Sequence, residues 1–83
     1  MKTVLSPQSV KYLERTNEPN KSRIIKAIKK LESEPPRGDI KSLEGQSGFR
    51  LRVGSYRVLF NIKNDIIVIT NITPRGGAYK RGE

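Results

Sequence analysis

The chain has 83 residues, neither cysteine nor histidine, and 17 Lys and Arg against 8 Asp and Glu, a formal charge of +9. That length holds one domain, residues 1–83, with one modest core. The composition removes disulfides and thiolate metal sites, the commonest acid–base side chain and imidazole metal sites, so the sequence predicts no metal and no cofactor. The excess of positive charge suits a polyanion, nucleic acid before acidic protein. No apolar run approaches the roughly 20 residues of a membrane span, and the opening MKTVLSPQSV is too short for a signal peptide, so the expected place is the cytoplasm, away from membranes.

In chain order, MKTVL alternates weakly and predicts a short strand. Ser6-Pro7 then supplies a capping hydroxyl followed by proline at the first helical position. The helix it starts should run to about Thr16, with Val10 and Leu13 on its apolar face, until Asn17, Glu18 and Pro19 break it. A second helix begins near Pro19. Ile24, Ala27, Ile28 and Leu31 form its stripe, Lys21, Lys26, Lys29 and Lys30 occupy the rest, and Pro35-Pro36 stops it. Those lysines are most simply a solvated face, with a contact to an acidic partner as the alternative. RGDIKSLEGQSG is rich in turn formers, with Ile40 and Leu43 as its apolar anchors, and supports no more than a short edge strand inside a long loop.

From Phe49 the period becomes two. FRLRV, Gly54-Ser55, YRVLFNI, Asn64-Asp65 and IIVITNI describe a three-stranded antiparallel meander. Two helices need an apolar surface to cover, so the fold class is α+β: a two-layer β-α-α-β arrangement, with three or four C-terminal strands and both helices on one face of an antiparallel sheet.

A two-residue loop at Gly54-Ser55 places Val53 opposite Tyr56, Arg52 opposite Arg57, Leu51 opposite Val58, Arg50 opposite Leu59 and Phe49 opposite Phe60. Phe49, Leu51, Val53, Val58 and Phe60 then form the helix-facing surface, while Arg50, Arg52 and Arg57 gather on the other. Like charges directly opposite cost about 0.2–1 kcal/mol. Arg52 against Arg57 therefore needs a compensating anion, either an acid from a nearby loop or a ligand. The tail TPRGGAYKRGE adds Arg75, Tyr79, Lys80 and Arg81, so seven Lys or Arg accompany only Asp65 and Glu83 from residue 49 onward.

GFRLRVGSYRVLFNI, a hydrophobic strand and then PRGGAYKR resemble the RelE family of type II toxins, within the RelE/ParE superfamily, and the resemblance covers the whole chain. It implies a ribosome-dependent mRNA endonuclease, or mRNA interferase, that inhibits translation. Its implied partners are the ribosome, mRNA and a cognate antitoxin encoded beside it, with operator DNA bound only through the antitoxin complex. It also implies that the first strand lies beside the last. Arg50 and Arg52 stand where the family carries paired basic residues, Arg57 matches the arginine after the second strand's tyrosine, and Arg75 and Tyr79 match the C-terminal motif. Pro74 departs from a frequent histidine, Phe60 from a frequent tyrosine and Gly76-Gly77 from a charged pair.

Cleavage by RNA's own 2′-hydroxyl needs a base, charge stabilisation on the phosphorane and a proton for the leaving 5′-oxygen, and it proceeds without metal. Guanidinium forks suit the second task, which falls to Arg50, Arg52 and Arg57. The resemblance makes Tyr79 general base or stacking ring and Arg75 proton donor or charge stabiliser, a catalytic set of Arg50, Arg52, Arg57, Arg75 and Tyr79. RNA binding falls to Arg50, Arg52, Arg57, Lys80 and Arg81. An ordinary tyrosine is ionised to roughly one part in a thousand at pH 7, and each close cation lowers its pKa by about one to three units. The rivals are a ParE-like inhibitor of DNA gyrase and a non-enzymatic or degenerate RNA-binding member.

Overall fold

The computed structural model describes residues 1–74. In chain order the elements are β1 (Lys2–Leu5), α1 (Pro7–Arg15), α2 (Asn20–Lys30), β2 (Asp39–Ser42), β3 (Phe49–Val53), β4 (Tyr56–Lys63) and β5 (Ile66–Pro74). Each start has a local cause. Ser6 caps α1 by accepting the Ser9 amide at 3.1 Å. Pro19 offers α2 no side-chain cap, and the Glu18 carboxylate instead accepts the Ser22 amide at 3.1 Å. Hydrogen bonds from Ser22 lower the pKa of Glu18, as expected for an acid at the positive end of a helix.

The five strands form one sheet in the order β1-β5-β4-β3-β2. Strands β2 to β5 pair antiparallel, and β1 joins β5 in parallel, with Val4 opposite Val68. The expected helix-covered α+β sandwich is present, with the first strand beside the last. Its sheet is mixed rather than wholly antiparallel, because β1 and β5 run the same way. The turn formers after Pro36 contain a full edge strand, β2, with Ile40 opposite Leu51.

Leu13, Ile24, Ile28 and Leu31 from the helical layer meet Leu51, Val58, Phe60, Ile67, Ile69 and Ile72 from the sheet to form the core. The α2 stripe is as the spacing predicts. In α1 the inward residue beside Leu13 is Ser9, fully buried, whereas Val10 is 42% exposed. A serine fits there because the helix start lies close against β5. The Ser6 amide donates to the Ile69 carbonyl at 2.9 Å, and the Ser6 hydroxyl lies 3.0 Å from the Thr70 carbonyl.

That contact coincides with a β-bulge. Leu59 pairs with Asn71 but Phe60 pairs with Ile69, leaving Thr70 as the extra residue. The shift of one explains why Ile69 and Ile72, three apart, both face the helices. Beyond the bulge it sends Asn71 and Thr73 to the opposite face. The β3–β4 and β4–β5 turns match their sequences: Asn64 and Asp65 have φ of 51° and 62°, as a type I′ turn requires, and Gly54 takes φ 58° at the β3–β4 tip.

Candidate nucleic-acid interface

The β3–β4 register is the expected one at every position, with Arg52 opposite Arg57 and Arg50 opposite Leu59. Since Leu51 and Val58 point into the core, alternation puts the three arginines on the helix-free face. Arg57 in turn lies opposite Thr73 of β5. The face thus runs from Asp39 and Lys41 on β2, through Arg50 and Arg52 on β3 and Arg57 on β4, to Asn71 and Thr73 on β5.

The arginines differ in their surroundings. Arg52 keeps 42% of its side chain exposed, while the Arg50 side chain is 8% exposed. A guanidinium so buried requires compensating charge and hydrogen bonds. Arg50 Nη1 donates to the Asp39 carbonyl at 3.3 Å and lies 3.6 Å from the Asp39 carboxylate, whose other oxygen is 3.9 Å from Arg52 Nη1. Both carboxylate separations exceed hydrogen-bond range, so these are charge contacts rather than bidentate pairs. The anion demanded by Arg52 against Arg57 is therefore present in part, supplied by the edge strand.

Asp39 is the site residue that reasoning from the hairpin alone missed. Its signal lay in the loop-like stretch: once Ile40 is taken as a core anchor opposite Leu51, Asp39 must fall opposite Arg52 and on the arginine face. A second polar feature of the face is the Thr73 hydroxyl, which is buried and has no hydrogen-bond partner among the described residues. Arg75, Tyr79, Lys80 and Arg81, together with Gly76-Gly77, lie outside the described residues.

On the helix-covered side of the sheet, Tyr56 heads β4 and meets Tyr12 of α1 edge-to-face, with ring centroids 6.3 Å apart. Its hydroxyl accepts from Asn20 Nδ2 at 3.3 Å. Burial, with a smaller effect of Tyr56, raises the pKa of Tyr12, so that phenol stays protonated near neutral pH. With Arg15, Thr16, Asn17 and Asn20 the two rings line a shallow recess. Among the described residues no group of three acids is placed to hold a metal ion, and no helix is long and apolar enough to cross a membrane.

Comparison with known proteins bears on all of these features together. Among curated proteins, no sequence matches. Three solved toxin–antitoxin complexes contain a chain of the same fold. One from Pyrococcus horikoshii OT3, an archaeal RelE–RelB complex, is 32% identical over 93% of this chain and 97% of the other, with a TM-score of 0.78. A RelB–RelE antitoxin–toxin complex from Methanococcus jannaschii gives 24% identity, 96% and 99% coverage and a TM-score of 0.79. The RelBE2 toxin–antitoxin complex from Mycobacterium tuberculosis gives 19% identity, 89% and 96% coverage and a TM-score of 0.75, a likeness of fold alone. Residues 4–79 match the family described as ParE toxin of type II toxin-antitoxin system, parDE. With that match across nearly its whole length and the Pyrococcus likeness beside it, the chain belongs to the RelE/ParE superfamily of type II toxin–antitoxin toxins.

Proposed function

We propose that this toxin is a ribosome-dependent endoribonuclease that cuts mRNA by attack of the RNA 2′-hydroxyl, and that a cognate antitoxin restrains it. The observation that carries this reading is the arginine face: Arg52 opposite Arg57 with Arg50 alongside, where Arg50 and Arg52 meet the Asp39 carboxylate at 3.6 and 3.9 Å. A scissile phosphate over β3 and β4 would relieve the Arg52–Arg57 repulsion and meet planar donors suited to its oxygens. The buried Thr73 hydroxyl opposite Arg57 would gain an acceptor from the same ligand. As charge grows on the phosphorane the guanidiniums interact with it more strongly than with the ground-state diester, and that difference lowers the barrier.

In this scheme Tyr79 takes the 2′-hydroxyl proton or stacks on a base, Arg75 protonates the leaving 5′-oxygen or stabilises its charge while water supplies the proton, and Lys80 and Arg81 bind the RNA backbone. The Pyrococcus complex supports an antitoxin partner. The family description supports a second reading, a ParE-like action on DNA gyrase. Expression of the chain with mapping of mRNA 5′ ends on translating ribosomes separates the two. Cuts at a fixed position within codons support the nuclease. Inhibited supercoiling and DNA damage with intact mRNA support the gyrase inhibitor and overturn the first reading.

A further inference from the structure

We infer that Asp39 is an exchangeable counter-ion: it occupies the Arg50–Arg52 pair in the free toxin and yields it to an incoming phosphate. The inference rests on the anion-binding role proposed for this face, and assigns Asp39 as the positioning residue that keeps the cations ready.

Three observations carry it. The Arg50 guanidinium is buried enough to need a partner, and Asp39 provides both a carbonyl at 3.3 Å and a carboxylate at 3.6 Å. The carboxylate is poorly held, since its side chain is 57% exposed on an edge strand and neither separation from an arginine nitrogen is a hydrogen bond. The Arg52–Asp39 pair, exposed on both sides, is a weak competitor for a diester that makes short charge-assisted hydrogen bonds. Register supplies the third: Asp39 lies across from Arg52 on one side while Arg57 lies across from Arg52 on the other. The central arginine is thus shared between an acid and a like charge, and a phosphate over β3 and β4 would draw Arg52 from the first toward the second.

Salt dependence of binding tests the exchange. A phosphate that displaces Asp39 exchanges one anion for another at those cations and releases correspondingly few counterions. In Asp39→Asn the same cations carry free counterions that the RNA must release. For the full chain and a single-stranded oligouridylate, the variant should bind about 3- to 10-fold more tightly at low salt. Its plot of log affinity against log salt should steepen by about 0.7, the value for one additional neutralised phosphate on a single strand. Asp39→Glu should restore the original slope, which a merely structural carboxylate has no reason to do. An unchanged slope, weaker binding by Asp39→Asn, or no binding by the unaltered chain overturns the inference. Heparin in place of RNA should show the same change in slope. That arm keeps the inference separate from the nuclease reading: failure to cut mRNA with the slope change intact rejects the nuclease alone.

Discussion

Each outer strand of the sheet carries a carboxylate contact, Glu32 to β1 and Asp39 on β2, and the two are unlike. At the β1 edge, Glu32 accepts the Thr3 amide at 2.8 Å and the Thr3 hydroxyl at 2.7 Å. At the β2 edge, Asp39 stands 3.6 and 3.9 Å from two arginines. Short hydrogen bonds from neutral donors of the strand fix the position of the carboxylate, whereas long contacts to guanidinium groups leave it available for exchange. One edge is closed by its acid; the other presents charge. The difference teaches that these carboxylates are to be distinguished by their donors and distances rather than by their exposure, since both lie at the surface.

The largest effect should come from neither edge. Leu51 is 1% exposed on β3, between Ile40 and Val58, and Leu51→Ala should cost about 2–5 kcal/mol in chemical denaturation through lost burial and a residual cavity. A loss that small edge substitutions equal would mean that the edges, not the core, hold the fold. Arg52→Ala sits one residue away and points to the other face. Under the proposed nuclease reading it should lower mRNA cleavage by about 10²–10³-fold, the usual cost of removing one transition-state donor, while changing stability by less than about 1 kcal/mol. Undiminished cleavage would take the β2 side of the sheet out of the chemistry.

Those two residues also show what was legible in the sequence. Alternation in RLRVGSYRVLF fixes which side each residue takes, because burial of Leu51 and Val58 is a bulk effect that any correct register must satisfy. The α2 stripe was legible for the same reason. The three-residue spacing from Leu13 puts Val10 inward, yet the helix start approaches β5 closely enough that buried Ser9 takes the place. The bulge at Thr70 left no periodic mark in IIVITNI, where apolar residues occupy both parities. Asp39 was hidden by composition: a strand of four residues among glycines, prolines and acids resembles a loop until its single anchor, Ile40, is given a partner.

A middle-sized effect should come from the contact between the start of α1 and the bulge in β5. Ser6 caps α1 and reaches the Thr70 carbonyl, so it connects the helix layer to the residue that turns Asn71 and Thr73 toward the arginines. Ser6→Ala should cost about 0.5–2 kcal/mol, most of it from the lost cap. Its amide stays bonded to Ile69, so amide exchange should quicken at the start of α1 with the β4–β5 pairing retained. Loss of protection across β5 instead would show that the hydroxyl, not the hydrophobic register, holds the bulge.

The smallest effect is the pH dependence of the closed edge. Hydrogen bonds from the Thr3 hydroxyl and amide, opposed by slight desolvation and aided by the N-terminal ammonium and Lys29, hold the Glu32 pKa below its ordinary value. A carboxyl whose folded pKa is depressed binds its proton more readily in the unfolded chain. Its stabilisation is complete above the unfolded pKa and disappears as pH falls through the folded one. Glu32→Gln should therefore lower stability near neutral pH and flatten the acid limb between those two pKa values, leaving the rest of that limb to other acids. Because Glu32 is at the surface, the change should be modest and confined to the β1 edge, visible as faster amide exchange at Thr3. Asp39→Asn should leave Thr3 exchange unaltered, since the edge it serves lies four strands away. An equal loss of Thr3 protection in both variants would mean that the two carboxylates belong to one cooperative unit, and the contrast between a fastening acid and an exchanging one would fail.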